Sequence, residues 1–263
     1  MGCHRSRILE KIVTSHNAVV VEERGKRIDF SVAGATFATW HPDHYLTGYS
    51  WDALTKGCLL FPDRSPRSIL LLGLAGGTVA RQLRRLVPDV ALSAVEIDPE
   101  VVELGNKYME LGDIEIDVSI GDAYRFLHHS TDMYDVIADD VYVTGLDDVE
   151  RPQLAWSRWF DLVENRLTPN GIAVANFVTG DHHDAIYKDA KRHFASRFSQ
   201  TRVVSPPRGY NQILVGGRKF IHPNTLSDMR TRFGRKRDRD LWARIKVSRV
   251  RVSSDVSIHS SVI

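Results

Sequence analysis

The stretch from Ser68 to Glu96 reads SILLLGLAGGTVARQLRRLVPDVALSAVE, and it decides the fold. Ile69 to Leu72 is a continuous apolar run, which predicts a strand buried on both faces of a parallel sheet. Gly73, Gly76 and Gly77 predict a tight turn that lets the backbone approach a ligand, and the residues that follow begin a helix. About twenty residues after the turn, the next strand ends on the carboxylate of Glu96. This order of elements is typical of the nucleotide-binding half of an α/β domain.

Acids also follow the next two predicted strands. Val118 to Ala123 (VSIGDA) predicts a short strand that ends in Gly-Asp, with Ala123 beginning a helix. There Asp122 can accept a hydrogen bond from an adenine amino group, while Glu96 can accept both ribose hydroxyls. Tyr134 to Asp140 (YDVIADD) predicts a further strand that ends in two acids. Together they predict an S-adenosyl sulfonium pocket at the carboxyl edge of a Rossmann-like, doubly wound, mostly parallel sheet.

Two alternatives stay open at this point. The turn reads G-x-x-G-G rather than G-x-G-x-x-G, so its glycines alone favour no particular nucleotide and argue against NAD. Acids at strand ends also serve as helix caps or solvated loop residues, and Asp139 and Asp140 fit that description as well. Neighbouring strand residues point to opposite faces, so we expect only Asp140 to exchange a proton with the acceptor, the molecule that reacts with the sulfonium compound.

The rest of the chain predicts three segments. Residues 1–60 form an N-terminal β-hairpin cap, with β-rich runs at 18–22, 27–32 and 36–40, followed by a linking helix over 41–60. Residues 61–220 form the Rossmann-like catalytic domain, in which strands alternate with helices. Residues 221–263 form a basic helix and strand extension.

The basic extension has two interpretations. Between Asp228 and Arg251 ten lysines and arginines face three aspartates, so this stretch carries +7 in a chain of net charge +2. Such a stretch binds nucleic acid or an acidic partner, or it is a solvated helix face followed by a charged edge strand. Because only Phe233 and Trp242 could stack on bases there, we favour the second interpretation and expect no nucleic-acid partner.

Composition sets further limits. The 263 residues are 43% hydrophobic and 26% charged, as in an ordinary globular protein. Cys3 and Cys58 have neither disulfide nor zinc spacing, and the paired histidines lack further ligands, so we expect no metal. The sequence has no apolar run near the 18 or so residues of a membrane span, and we expect a cytoplasmic protein. Met1 to Ser6 matches a myristoylation pattern, which we expect to be fortuitous.

Five motifs give a family resemblance. ILLLGLAGGT, VEIDPEVVELGNKY, GDAYRFL, YDVIADD and RLTPNGIAVANF are similar in order and spacing to spermidine synthase and its bacterial relatives, on the methyltransferase-type Rossmann fold. The resemblance implies that Glu96 and Asp122 bind the donor's ribose and adenine. It also implies that Asp140 deprotonates the attacking amine and that Tyr49 helps to hold it.

Two positions depart from the family pattern. Gly76 stands where the family has the acid that holds the donor's aminopropyl ammonium, and Val143 replaces the second acid of the D-x-x-D loop. Recognition of a diamine such as putrescine is therefore in question. We expect Tyr142 and Asp139 to complete the acceptor pocket, with the aromatic faces of Tyr49 and Tyr142 beside the sulfonium.

Three functions follow from these observations. The first is transfer of an aminopropyl-type group from S-adenosylmethionine or its decarboxylated form, used as a co-substrate, to a small amine. The second is methyl transfer from S-adenosylmethionine on the same fold, and the third is non-catalytic binding of an adenosyl compound or nucleic acid. A homodimer is compatible with all three.

Overall fold

The computed structural model describes residues 6–62, 65–144, 149–152, 154–180, 183–220 and 226–250. Its helices are α1 Ser50–Cys58, α2 Thr78–Leu86, α3 Pro99–Tyr108, α4 Ala123–His129, α5 Trp156–Glu164, α6 His183–Arg197 and α7 Lys236–Arg244. Its strands are β1 Arg7–Val13, β2 Ala18–Arg24, β3 Arg27–Val32, β4 Ala35–Trp40, β5 Ser68–Leu72, β6 Ala91–Glu96, β7 Asp117–Ile120, β8 Tyr134–Asp139, β9 Val143–Thr144, β10 Val149–Glu150, β11 Leu167–Val178, β12 Gln200–Ser205, β13 Asn211–Gly217 and β14 Lys246–Arg249. No helix in these ranges is long and apolar enough to cross a membrane.

The central sheet has eight strands in the order β14-β12-β13-β11-β8-β5-β6-β7. The pairs from β11 to β7 are parallel, and those that involve β13, β12 and β14 are antiparallel. The chain runs from β5 outward to β7 and then returns to β8 on the other side of β5. The predicted mostly parallel α/β fold is confirmed, and the crevice between β5 and β8 is the switch point where such sheets bind ligands.

Both faces of the sheet are covered, as the apolar run of β5 predicts. Ile69 and Leu71 pack into a core with α1, α2 and the C-terminal segment, whereas Leu70 and Leu72 pack into a second core with α4, α5 and α6. All four side chains are buried because consecutive strand residues point to opposite faces, each covered by helices.

The N-terminal cap is a four-stranded antiparallel sheet in the order β1-β2-β3-β4. The expected antiparallel cap is confirmed, with β1 as a strand that the sequence patterns did not reveal. The cap packs through Phe30 and Ala38 against Leu104 and Met109 of the α3 region. It is joined to α2 by a reciprocal pair of hydrogen bonds, in which Thr78 Oγ1 donates to the Thr39 carbonyl and accepts from the Thr39 N–H.

The predicted helix over 41–60 is wrong in its first half. Helix α1 begins at Ser50, because Asp52 Oδ2 accepts from the backbone N–H groups of Thr47 and Gly48 and holds the preceding residues in a turn. Gly48 has φ +94°, which a continuing helix cannot accommodate. The residues before α1 are therefore a loop that closes on the helix, and this loop forms part of a cavity wall described below.

The basic C-terminal segment is built into the main body of the protein. Strand β14 pairs with β12 at the sheet edge, and Trp242 of α7 is fully buried in the core with α1. Lys56 of α1 donates hydrogen bonds to the carbonyls of Trp242 and Ile245, and burial lowers its pKa to about 8. The segment therefore has the helix and charged edge strand expected of it, up to residue 250.

Candidate active site

The strand register brings three predicted site residues to one edge of the sheet. Leu72 of β5 pairs with Val95 of β6 on one side and with Asp139 of β8 on the other. Gly73, Glu96 and Asp140 are the residues that follow each of these positions in the chain. Parallel strands end at the same edge, so the glycine turn and two carboxylates meet at the switch point.

The glycine turn needs its glycines for space and for backbone conformation. Gly73 has φ +84°, and a Cβ there would lie 2.7 Å from the carbonyl oxygen of Asp140. Gly77 has φ +80° and precedes the first residue of α2. Ala75 also lies in the left-handed region, with φ +50°, a conformation that costs a non-glycine residue about 1–2 kcal/mol.

Glu96 fixes this turn directly. Its Oε2 accepts hydrogen bonds from the N–H groups of Leu74 (3.0 Å) and Ala75 (2.8 Å). Its Oε1 accepts from the N–H groups of Ile97 (2.9 Å) and Asp98 (3.2 Å). A carboxylate offers about four lone-pair sites, so ribose hydroxyls would have to share this acceptor with the turn.

Asp122 and Ala123 lie at the start of α4. Asp122 Oδ1 accepts a hydrogen bond of 2.7 Å from the N–H of Arg125 and so caps the helix, and the residue is exposed. Ala123 is buried, and both residues line the same cavity as Glu96. Asp122 therefore caps α4, a role that the sequence left open only for Asp139 and Asp140, and it also lies at the cavity.

A cavity of about 370 Å³ lies over this edge of the sheet. Its lining includes Gly73, Glu96, Asp122, Ala123, Asp140 and Tyr142 of the predicted site. The volume falls in the range of about 300–1,000 Å³ that is usual for small-molecule sites. The rest of the lining combines apolar side chains with further polar ones, among them Thr36, Ser50, Asn176 and Asn211.

Asp140 is an acid in this cavity whose pKa is raised by its surroundings. Its Oδ1 accepts a hydrogen bond of 2.7 Å from Asn176 Nδ2. Desolvation, with a smaller contribution from the charge of Asp139, raises the pKa of Asp140 to about 6. A carboxylate with this pKa can accept a proton near neutral pH and release it again.

Asn176 and Asn211 are site residues that the motif analysis did not single out. Asn176 Oδ1 accepts a hydrogen bond of 3.0 Å from Asn211 Nδ2, so the two amides form a chain that ends on Asp140. The hydroxyl of Tyr142 donates to the Asn176 carbonyl and accepts from the N–H of Val178. This hydroxyl is therefore engaged with β11, and only the ring of Tyr142 remains for a ligand.

Asp139 lies on the opposite face of β8 and does not line the cavity. Its expected place in the acceptor pocket is therefore wrong. Asp139 is fully buried. Its Oδ2 accepts from Arg151 Nη2 (2.5 Å), Trp159 Nε1 (2.6 Å) and the Tyr124 hydroxyl (3.2 Å). Strand alternation explains this position, since Asp139 shares its face with Leu72 and the second core. Asp139 thus anchors the loop that contains Arg151.

Tyr49 and Trp51 line a second, larger cavity. This cavity has a volume of about 800 Å³ and lies between the N-terminal sheet, α1 and the start of α2. Tyr49 is 43% exposed and lines only this cavity, whereas Trp51 lines both cavities. Trp51 therefore borders both compartments, although the resemblance pointed to Tyr49.

Gly76 lines the larger cavity, but a side chain added there would point into packed atoms. A Cβ at this position would lie 2.4 Å from Met109 Sδ, 3.0 Å from Ala38 Cβ and 3.2 Å from the Phe30 ring. The volume that a larger residue at position 76 would need is thus occupied by the N-terminal sheet and the end of α3. The departure from the family acid is accompanied by packing that excludes a side chain there.

The histidine pairs form no metal centre in the described ranges, where no group of three or more His, Cys, Asp or Glu residues could hold an ion. The rings of His41 and His44 lie 4.6 Å apart beside the larger cavity. His183 begins α6 and lines a separate cavity of about 180 Å³. His182 and the myristoylation match at Met1 to Arg5 lie outside the described residues.

A family model named spermine/spermidine synthase domain matches residues 55–208, which include the glycine turn, Glu96, Asp122 and Asp140. The chain belongs to the spermine/spermidine synthase family. This family assignment confirms the resemblance of the five sequence motifs.

Individual relatives agree with this assignment. A probable polyamine aminopropyl transferase of Bifidobacterium longum is 33% identical over 135 residues, which are 51% of this chain and 29% of that protein. A polyamine aminopropyltransferase of Neisseria meningitidis is 32% identical over 147 residues, 54% of this chain and 52% of that protein. The chain thus spans about half the length, or less, of these curated relatives.

The fold is shared more widely than the sequence. A crystal structure of spermidine synthase in complex with the transition-state analogue AdoDATO superposes with a TM-score of 0.68 and 19% identity. The superposition covers 88% of this chain and 80% of that one. It extends beyond residues 55–208 and so includes elements on both sides of the family domain.

Proposed function

We propose that this protein transfers an aminopropyl-type group from an S-adenosyl sulfonium donor to a small amine. The observation that carries the proposal is the convergence of the glycine turn, Glu96 and Asp140 in one cavity at the switch point. Membership of the spermine/spermidine synthase family supports the reaction class. Methyl transfer is the less favoured alternative, because the curated relatives are named aminopropyltransferases.

In this proposal the donor lies along the carboxyl edge of the sheet. Glu96 accepts hydrogen bonds from the ribose hydroxyls while it continues to hold the turn, and Asp122 accepts from the adenine amino group through the oxygen that does not cap α4. Gly73 lets the backbone approach the nucleoside, whereas Gly76 and Gly77, which the sequence also assigns to the donor, line the larger cavity instead. The rings of Trp51 and Tyr142 lie beside the sulfonium, a cation–π contact of about 0.5–2 kcal/mol.

The reaction requires no covalent enzyme intermediate. The lone pair of a neutral amine attacks the methylene carbon bonded to sulfur, the carbon–sulfur bond breaks, and the sulfur keeps the electron pair as a thioether. The new ammonium then gives one proton to Asp140. Placing the amine in line with the breaking bond and keeping water out are the main contributions of the protein.

Donor choice follows from position 76. Because position 76 is a glycine, the protein offers no carboxylate there to pair with the terminal ammonium of a decarboxylated donor. We therefore expect intact S-adenosylmethionine to bind at least comparably to the decarboxylated form, and putrescine to be a poor acceptor. A hundredfold preference for the decarboxylated donor would contradict this expectation.

Product analysis tests the proposal. Each donor is incubated with the protein and a panel of small amines, and the nucleoside product is identified by mass spectrometry. Methylthioadenosine indicates transfer of the aminopropyl or aminocarboxypropyl chain, whereas S-adenosylhomocysteine indicates methyl transfer and would overturn the proposal. Asp140→Asn is the matched control, since it should bind the donor within a few-fold of the parent and form about 100-fold less product. A cytoplasmic location and a homodimer remain predictions.

A further inference from the structure

The larger cavity carries an excess of positive charge. Its lining contains four arginines, Arg24, Arg27, Arg81 and Arg237, and only one acid, Asp29. It adjoins the cavity of about 370 Å³ that contains Glu96 and Asp140, here called the donor-side cavity, because both share wall residues, namely Thr36, Ser50, Trp51, Thr78 and Asn211. It is therefore the compartment through which an acceptor would reach Asp140.

The one acid in this lining, Asp29, already has partners within the protein. Asp29 is 4% exposed, forms an ion pair of 2.7 Å with Arg27, and accepts a hydrogen bond of 2.7 Å from the Thr39 hydroxyl. A diammonium acceptor would thus enter a cavity whose one lining carboxylate is already paired with an arginine. The charge of this compartment is the opposite of what a diamine requires.

Three of the four arginines are balanced by acids. Arg24 pairs with Glu22 at 2.7 Å, Arg27 with Asp29, and Arg237 with Asp238 at 3.1 Å. Their side chains are about half exposed, so solvent screens much of their field.

Arg81 differs from these three. Among the described residues it forms no ion pair, and its one hydrogen bond runs from Nη1 to the His44 carbonyl at 2.9 Å. Its guanidinium lies 4.4 Å from the ring centroid of Tyr45 and 5.5 Å from that of Trp40, which fix its position beside the cavity. A guanidinium has five N–H donors in a planar fork that matches a carboxylate or a phosphate.

We propose that Arg81 binds an anionic group of the acceptor, so that the acceptor is an amine that also carries a carboxylate or a phosphate. Arg81 lies three residues after Thr78 on the same side of α2, about 4.5 Å along the helix from the border of the two cavities. Arg81 thus lies on the side of α2 that faces the border between the two cavities. This inference rests on the proposed function for the reaction, but its binding test does not.

Two matched pairs of probes test it. Ornithine differs from putrescine by one carboxylate, and phosphoethanolamine differs from ethanolamine by one phosphate. Calorimetry with the donor-loaded protein should give a dissociation constant at least about tenfold lower for the anionic member of one pair. The pair that shows this difference tells whether the site prefers a carboxylate or a phosphate. Arg81→Gln should remove this preference, and Arg81→Lys should restore part of it.

Arg85→Gln is the matched control. Arg85 lies on the same helix, is exposed and does not line the cavity, so its loss changes the net charge equally and should leave the preference intact. Thermal unfolding of each variant shows whether it is folded.

The outcomes separate the two proposals. If anionic amines bind preferentially but no alkyl product forms, the acceptor class stands and the proposed reaction falls. Methylthioadenosine formed from putrescine, with no anionic preference, leaves the reaction standing and overturns the role of Arg81. That role is also overturned if no anionic probe binds at millimolar concentration, or if Arg81→Gln weakens only S-adenosylmethionine.

Discussion

Replacing Asp139 by asparagine should unfold this protein at a markedly lower temperature without directly touching the cavity. Asp139 is fully buried, and one of its oxygens accepts from Arg151, Trp159 and Tyr124. The amide would keep one acceptor oxygen but would turn donors toward the Arg151 guanidinium. Arg151 is 9% exposed and would retain an uncompensated charge.

The expected magnitude follows from that charge. Removing one partner of a buried ion pair typically costs about 3–5 kcal/mol. For a domain of this size each kcal/mol lowers the melting temperature by about 2–4 °C, so Asp139→Asn should melt about 6–20 °C below the parent. The double variant Asp139→Asn/Arg151→Gln should lose less than the sum of the two single variants, because no charge is left alone.

Thermal and urea unfolding measure this effect, with Asp140→Asn as the control. Asp140 is partly exposed and its pKa is raised to about 6, so its carboxylate is disfavoured by folding at pH 7. Removing that charge should leave stability unchanged or slightly higher. A loss below about 1 kcal/mol for Asp139→Asn would refute the argument, since it would show that Arg151 finds water or another partner.

Other predictions concern the cavity itself. If Asp140 is the base, product formation should fall as pH falls through about 6, because the raised pKa keeps the carboxyl protonated below that value. Asn176→Leu should move this fall in activity to higher pH, because it removes the hydrogen bond from Asn176, and an unmoved pH profile would count against the contact. Glu96→Gln should weaken donor binding by about 2–4 kcal/mol in calorimetry and also lower the melting temperature, because an amide cannot accept all four backbone hydrogen bonds; donor binding as tight as in the parent would reject the site. Ala75→Gly should gain up to about 1 kcal/mol in urea unfolding, because the left-handed cost of about 1–2 kcal/mol outweighs the extra flexibility of glycine, and a loss would mean that the Ala75 methyl packs usefully.

The parts of the fold that were predictable depend on local periodicity. The apolar run 69–72 and the Gly-Asp that follows β7 predict the parallel strands, and hence the edge at which Gly73 and Glu96 meet. Strand β1 was missed because its seven residues are only half-buried at best and show weak alternation. The loop before α1 is not predictable from local patterns, because the side chain of Asp52, within the helix, rather than a proline sets where the helix begins.

The site was predictable only where a residue and its role are close in sequence. Glu96 ends β6 and Asp122 lies two residues after β7, and the sequence places them at the cavity for that reason. Asn176 and Arg151 act through contacts with Asp140 and Asp139, 36 and 12 residues away, which no local pattern reveals. The opposite faces of Asp139 and Asp140 did follow from strand alternation, but the buried partners of Asp139 did not.

The departures from the family pattern point in one electrostatic direction. The acid that the family has at position 76 is absent, and a side chain there would crowd Met109 and Phe30. The second acid of the D-x-x-D loop is Val143, which lines the donor-side cavity as an apolar residue. Arg81 meanwhile brings an unpaired guanidinium to the adjoining compartment. The two departures remove negative charge where a diamine would bind and Arg81 adds positive charge nearby, so Asp140 is the acid available to one amine. A site of this kind retains the means to deprotonate a nucleophile while its surroundings select against a second ammonium and for an anion.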